Sequence, residues 1–425
     1  MGTNFRMPIS ALPDETSRLL GSSLTISSPI LLVKELLENS IDAGATAVNV
    51  LISANTVDRI EVRDNGHGIP TDDFDALGRR AHTSKLRSYE QLKGGQITTL
   101  GFRGEALAAA STVGKVSITT RTDNDVVATV LYLHQGHGSA GARGKVSSPV
   151  GTTVVVTRLF AGLPVREKFA KQEACLTVVK VKRLLHSYAL AKPQLRLTFK
   201  VPNHPKLSWS YSPLPGAQLR EAILQVFGTE LAAQCQEATI SSETSGEMNT
   251  SPNVVIQACF PSRQSDAIRI SHGAFISVDS RPLCSTRGVA KKLLSVYRRH
   301  LLSSADTVET RQAREPFLYV SIRCVAGSYD ANIEPSKDDI LFADETALLR
   351  LFETLCQDVR KDAVARIEED QEGRRPISPL KDQVSLPVSH RPPVAVMLEE
   401  HPVCSILPSE AKIVDGPVDG VRVVD

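Results

Sequence analysis

The sequence predicts an α+β fold, with helices layered over a largely antiparallel sheet and a second α+β unit behind it. Three observations carry this. Residues 27–44 repeat apolar side chains at the 3.6 period of a helix, with Val33, Leu36, Leu37 and Ile41 on one stripe. Short β-rich runs follow one another at 115–121, 126–133 and 152–159. A Pro-rich break at 210–216 separates these from a second series of helices and strands.

Taken in order, the first helix ends at Gly44, a residue suited to the left-handed position after a helix. Strands are expected at 47–53 and 59–63, the second emptying into Asp64-Asn-Gly-His-Gly68. From Arg79 to about Gly104 the chain is punctuated by glycine and weakly periodic, as a mobile loop would be. A helix over 105–112, the three strands named above and a helix over 175–191 complete the first unit. Beyond the break come a helix at 217–227, strands at 254–260, 274–278 and 317–324, a helix at 286–302 and a long helix at 345–369. The polar stretch 241–253 has the composition of a flexible loop, and the segment after Gly373 that of a linker or tail. The expected domains are therefore 1–215, 216–370 and a disordered 371–425.

Composition narrows the function classes. With 49 Lys+Arg against 47 Asp+Glu, global charge favours no nucleic-acid role, so any DNA contact must be local. Seven scattered cysteines without a Cys-x-x-Cys pair indicate neither a disulfide framework nor a zinc ribbon, and a reduced intracellular compartment fits them. No apolar signal region and no run approaching 18 apolar residues is present, so no membrane role is expected.

Four segments converge on one chemical job. On a helix, Glu35, Asn39 and Asp42 stand at i, i+4 and i+7 and share a face opposite the apolar stripe. A carboxylate there can polarise an attacking water, and an amide oxygen one turn away can hold a magnesium ion between phosphates. At the end of a strand, Asp64 is placed to accept from an exocyclic amine such as adenine's, while Gly66 and Gly68 let backbone approach a flat ligand. Taken alone, that segment is an ordinary Asp-Asn-Gly turn, and His67 has no metal partner or nucleophile near it. Thr83-Ser84-Lys85 precedes Leu100-Gly-Phe-Arg-Gly-Glu-Ala-Leu107, where glycines open a helix start that attracts phosphate. Arg103 can add charge to that start or pair with Glu105. Gly151-Thr-Thr153 offers close approach and a hydroxyl. The chain has no GxxxxGK[ST], which excludes a P-loop mechanism.

Each segment is weak, but the ordered set VKELLENSIDAGA, DNGHGI, TSKL, LGFRGEAL and GTTVVVTRLFAGLPVREKF resembles the MutL family of GHKL ATPases over residues 8–360. The first two signals are shared with gyrase, Hsp90 and histidine kinases; the others single out MutL. The resemblance implies a Bergerat (GHKL) ATPase layer sandwich followed by a ribosomal-protein-like β-α-β domain. It implies Mg-dependent hydrolysis of ATP, with Glu35 as the general base and Asn39 as the Mg2+ ligand. Asp64 would bind the adenine amine, with Gly66 and Gly68 shaping that wall and Thr152 closing the adenine side. Thr83, Ser84 and Lys85 would lie in the ATP lid, and Gly101, Phe102, Arg103 and Gly104 would cradle phosphate. Lys337, within Ala331-Asn-Ile-Glu-Pro-Ser-Lys-Asp338, would reach the γ-phosphate.

The wider implications are an ATP-switched clamp in DNA mismatch repair and a nuclear location. A second MutL-family subunit would be its partner in a heterodimer, with residues 1–25 packing across that partner. Double-stranded DNA contacted without sequence preference and MutS-type proteins would be further partners. Basic groups for DNA cluster at Lys180, Lys182, Arg183 and His186, and at Lys291, Lys292, Arg298 and Arg299. Leu19-Leu-Gly-Ser-Ser-Leu-Thr-Ile26 replaces the family's usual alanine-alanine-glycine-glutamate, which resembles the accessory eukaryotic subunit. No endonuclease segment is seen, and the chain is expected to be a fragment or a shortened product. The competing expectation is a docking and DNA-binding module that holds ATP but hardly hydrolyses it. A gyrase-like subunit lacks support, since no cleavage-tyrosine region follows.

Overall fold

The computed structural model describes residues 10–86, 99–136, 138–242, 254–262, 265–266, 269–300, 315–334 and 336–372, with no account of the side chains of 142 and 362–372. The described residues all belong to one compact unit. The expected tail, from 373 onward, and most of the expected loop at 241–253 lie outside the described residues.

The chain begins with α1 (Asp14–Thr25) and α2 (Pro29–Asp42). Proline opens α2 where its missing amide costs nothing, and Gly44 follows with φ +72°. Strands β1 (Ala47–Ile52) and β2 (Arg59–Asp64) come next, then α3 (Ala106–Val113) and a meander of β3 (Lys115–Arg121), β4 (Ala128–Leu133), β5 (Ala140–Val146) and β6 (Gly151–Thr157). Helices α4 (Pro164–Gln172) and α5 (Ala174–Ala191) lead to β7 (Arg196–Lys200) and β8 (Trp209–Tyr211).

These strands make one eight-stranded sheet in the order β5-β4-β3-β6-β2-β1-β7-β8, in which only β1 and β7 run parallel. The alternating Val48, Val50 and Ile52 of β1 and Ile60 and Val62 of β2 turn into one core with Leu32, Val33, Leu36 and Leu37 of α2. Helix α5 adds Val178, Val181, Leu185 and Tyr188 to it. Burying the apolar stripe of α2 this way leaves its polar face free for chemistry.

The second half runs α6 (Leu219–Phe227), α7 (Thr229–Gln234), β9 (Cys235–Ser241), β10 (Val254–Pro261), β11 (Ala274–Val278), β12 (Arg281–Leu283), α8 (Gly288–His300), β13 (Leu318–Cys324) and α9 (Glu345–Glu372). Its sheet has the order β12-β11-β13-β10-β9, and β11 and β13 are parallel, with β12 and α8 on the path between them. Its core is built by Ile256, Phe260, Val278, Leu293, Val320 and Phe352. Leu219, Ala222, Ile223 and Leu231, from beyond the Pro-rich break, pack instead into the core of the first sheet.

Most expected elements form within two residues of their expected ends. Helices α1, α4 and α7 and strands β5, β7, β8, β9 and β12 were not anticipated. Helix α1 packs against α3 of its own chain.

Candidate functional site

The site starts from the polar face of α2. Asp42, at the C-terminal end of that face, accepts from two backbone amides of the returning loop: Leu100 N at 2.8 Å through Oδ1 and Gly101 N at 2.9 Å through Oδ2. The same peptide stretch is gripped from its carbonyl side. Arg281 at the head of β12 donates to Leu100 O at 3.0 Å and to Thr99 O at 3.2 Å. Residues 99–101 are therefore held by an anion on one side and a buried cation on the other, each satisfying groups that a loop would otherwise leave to water.

Lys85 joins Asn39 and Asp42. Its ammonium donates at 2.7 Å to Asn39 Oδ1 and at 2.7 Å to Asp42 Oδ2. Gly101 makes this closeness possible: a Cβ there would lie 3.2 Å from Asn39 Oδ1 and 3.2 Å from Lys85 Nζ. Two hard oxygens already hold a cation here, so their chemistry suits Mg2+. Among the described residues no group of three or more His, Cys, Asp or Glu is placed to hold a metal. A Mg2+ ion at Asn39 would thus complete its shell with phosphate and water oxygens, as this ion commonly does.

At the other end of the same face, Lys337 reaches Glu35 from 302 residues away, with Nζ 2.9 Å from Oε1 and 3.1 Å from Oε2. Lys337 is 1 % exposed and has φ +53°, a left-handed backbone that aims its side chain back at α2. The buried Phe102 ring lies beneath it, 5.7 Å from Nζ to centroid. The neighbouring Lys34 donates to Ser336 O at 2.5 Å and also pairs with Asp338. Arg103 donates to Asn332 Oδ1 through Nε at 3.0 Å and through a terminal nitrogen at 2.8 Å. Of the two roles expected for Arg103, a pair with Glu105 is thus replaced by a contact with the loop that carries Lys337.

The third corner is Asp64. Its Oδ1 accepts from Gly66 N at 2.9 Å and Thr152 N at 3.1 Å, and its Oδ2 accepts from Ser40 Oγ at 2.9 Å. Burial raises its carboxyl above the usual range, and the bonds from Gly66, Ser40 and Thr152 offset part of that rise. Thr120 ties the corner together: its Oγ1 accepts from Ile69 N at 2.8 Å and lies 3.2 Å from Thr152 Oγ1. The glycines have intrachain reasons as well. A Cβ on Gly66 would meet Ala43 O at 2.7 Å, and one on Gly68, at φ +76°, would meet Arg121 O at 2.2 Å.

The structure brings Glu35, Asn39, Lys85, Gly101, Phe102 and Lys337 together along α2, while Ser40 links that helix to Asp64, Gly66 and Thr152. Thr83 accepts from Lys85 N at 3.2 Å, and Ser84 is exposed. Gly104, at φ +65°, passes His82 O so closely that a Cβ would lie 2.4 Å away. Residues 87–98 of the expected lid lie outside the described residues. The sequence suggests no role for Arg281, Asn332, Lys34 or Thr120, although the first three lie in or beside segments it singles out. Asp42 was placed on the right face, but its grip on the loop amides was not foreseen.

Comparison with known proteins follows the same outline. A family described as histidine kinase-, DNA gyrase B- and HSP90-like ATPase matches residues 27–143. The chain is 33% identical over 350 residues to PMS1 protein homolog 1 of Homo sapiens, covering 81% of this chain and 35% of that protein. It is 31% identical over 351 residues to the DNA mismatch repair protein MutL of Ralstonia nicotianae, covering 81% of this chain and 49% of that one. The chain thus spans about a third to a half of the length of these curated relatives. A crystal structure of the N-terminal domain of a DNA repair protein superposes with a TM-score of 0.66 at 22% identity, over 82% of this chain and 99% of that one, and so shares the fold. With the motifs in their expected order and one compact fold spanning them, the chain belongs to the MutL/PMS1 family, through a domain of the GHKL ATPase type.

Proposed function

We propose that this chain binds Mg-ATP on the polar face of α2 and hydrolyses it, and that it works in DNA mismatch repair as an ATP-switched clamp subunit. One observation carries the reading: Lys337, from the loop before α9, lies 2.9 Å from Glu35. A cation delivered by the second sheet onto the base expected to activate water is an arrangement in which chemistry and domain position depend on each other.

In this reading Asp64 takes the adenine amine, Gly66 and Gly68 shape that wall and Thr152 closes it. Thr83, Ser84 and Lys85 belong to the lid, and the backbone of Gly101, Phe102, Arg103 and Gly104 cradles phosphate. Asn39 holds Mg2+, which would supply charge neutralisation at the phosphates. Glu35 takes the proton of the attacking water, and Lys337 turns from Glu35 toward the γ-phosphate, where negative charge accumulates. The second sheet, with its parallel β11 and β13 and the intervening α8, acts as the transducer and is the part expected to be ribosomal-protein-like. The domain limits 1–215, 216–370 and 371–425 belong to the same proposal.

The proposed partners are another MutL-family subunit, double-stranded DNA and MutS-type proteins, in a nucleus, as the family resemblance implies. The resemblance to the accessory eukaryotic subunit goes with them.

Single-turnover hydrolysis on purified protein tests the reading. Glu35→Ala should retain ATP affinity yet lose about 10²–10⁴-fold in rate, the range of a lost general base. Asn39→Ala should instead weaken Mg-ATP binding. An unchanged rate in Glu35→Ala removes the assigned role and leaves a passive ATP-holding module.

A further inference from the structure

Glu38 lies three residues after Glu35 on α2 and is fully buried, which for a carboxylate demands specific compensation. Its two oxygens are used separately. Oε1 accepts from the hydroxyl of Tyr188 on α5 at 2.7 Å, and Oε2 faces Lys337 Nζ at 3.3 Å. Lys34 stands further off, 3.9 Å from Oε1. Tyr188 is itself buried, and burial together with the adjoining Glu38 holds its phenol proton well above the usual range, so it remains a donor. The Lys337 ammonium thus sits between two carboxylates that differ in one respect. Glu35 is free to give up its share to a water or phosphate, while Glu38 is fixed by a hydroxyl from a different helix.

That difference has a chemical use. An ammonium held against both Glu35 oxygens lowers their basicity, so Glu35 takes a proton from water more readily once the ammonium moves off. A buried ammonium released by its sole partner would be stranded. A second, immobile carboxylate lets Lys337 leave Glu35 without leaving negative charge altogether. We infer that Glu38, oriented by Tyr188, is a positioning residue that holds Lys337 against α2 and keeps it aimed at the phosphate end of the site. The inference rests on the roles proposed above for Glu35 and Lys337. A merely structural Glu38 would only help dock the 331–338 loop and would affect stability rather than turnover at saturating ATP.

The test is a double-mutant cycle on the full chain, with ATP affinity and single-turnover rate measured for each protein. Glu38→Gln keeps the size and the acceptor for Tyr188 but removes the charge; Tyr188→Phe keeps the charge but removes its orientation. In Glu38→Gln the rate at saturating ATP should fall about 10-fold or more with affinity changed by less than about 3-fold, and Tyr188→Phe should move the same way by a smaller factor. Added to Lys337→Met, Glu38→Gln should change nothing further, because it acts only through that ammonium. A wild-type rate in both Glu38→Gln and Tyr188→Phe overturns the inference. So does a multiplicative loss in the double mutant alongside a slow Lys337→Met, which leaves the roles of Lys337 and Glu35 standing. A wild-type rate in Lys337→Met overturns the Lys337 role and the inference with it. Should Glu38→Gln fail to fold, Tyr188→Phe alone decides by the same split between rate and affinity.

Discussion

Asp64, proposed above to take the adenine amine, sets binding against stability at a single residue. It is a half-buried carboxylate, and three hydrogen bonds offset only part of its desolvation. An asparagine fits the same bonds. Its oxygen can accept from Gly66 N and Thr152 N, its amide can donate to Ser40 Oγ, and Ser40 can still donate to Leu36 O, 3.1 Å away. The sign follows from linkage. A carboxyl whose pKa is raised by folding contributes stability below its unfolded pKa, and loses that contribution as pH rises through the folded value. Asp64→Asn should therefore unfold at a higher temperature than wild type at pH 7, with the advantage shrinking as the pH falls toward the unfolded carboxyl value. Adenine-nucleotide affinity should fall in the same protein. Thermal melts across pH, paired with nucleotide titration, check both halves; a lower melting temperature at pH 7 would contradict the account of this residue. At the same scale, His186 loses its place among the basic groups for DNA. Its ring packs 4.7 Å from Trp209 and 5.7 Å from Phe227, and burial pushes its pKa down to about 3, so it is neutral at physiological pH.

Among the elements, α2 was the most legible in the sequence because one helix carries both signals: an apolar stripe at 3.6 spacing and polar residues at i, i+4 and i+7. Strands β1 to β3 were legible for the same reason, since one face of each is buried. What escaped was structure whose pattern is weak by position. Strands β5 and β9 are the outer strands of their sheets, and β9 shows no buried residue along its length. Helix α1 buries only Ser22 and Ser23, so no apolar stripe announces it. Residues 99–101 have no period at all, and the two groups that hold them lie 58 residues before and 181 residues after Leu100. Arg281 gives that loop a testable anchor. Arg281→Ala deletes two charge-assisted bonds to carbonyls and should lower the unfolding free energy by about 3 kcal/mol, with Arg281→Lys losing roughly half as much. Denaturant unfolding with an unchanged slope measures this; equal stability of both variants and wild type would show the grip to be idle.

For the whole molecule, the two sheets are joined where the proposed chemistry occurs. Lys337 on Glu35, Lys34 on Ser336, Arg103 on Asn332 and Arg281 on Thr99 and Leu100 all cross between the halves of the chain. No periodicity could have located these contacts, because each joins residues at least 181 positions apart. Lys337 was reached only through the family resemblance. The second basic cluster proposed for DNA is partly engaged, since Lys292 pairs with Glu345 at 2.6 Å and Arg299 with Glu353 at 3.5 Å. Exposed pairs of this kind are weak and exchange readily for phosphate. Binding to double-stranded DNA should therefore be indifferent to sequence and fall steeply with salt, as titrations at several ionic strengths would register. Salt-insensitive or sequence-specific binding would contradict a phosphate-contacting clamp.

In the proposed switch a γ-phosphate, by recruiting Lys337, changes how the lid and the second sheet are held. Hydrogen exchange over residues 79–104, compared between a non-hydrolysable ATP analogue and ADP, reads this most directly. Exchange should slow with the analogue and much less with ADP, and Lys337→Ala should abolish most of that difference while nucleotide still binds through Asp64. Equal protection by the two nucleotides would contradict the switch and leave a domain that holds ATP without responding to its terminal phosphate.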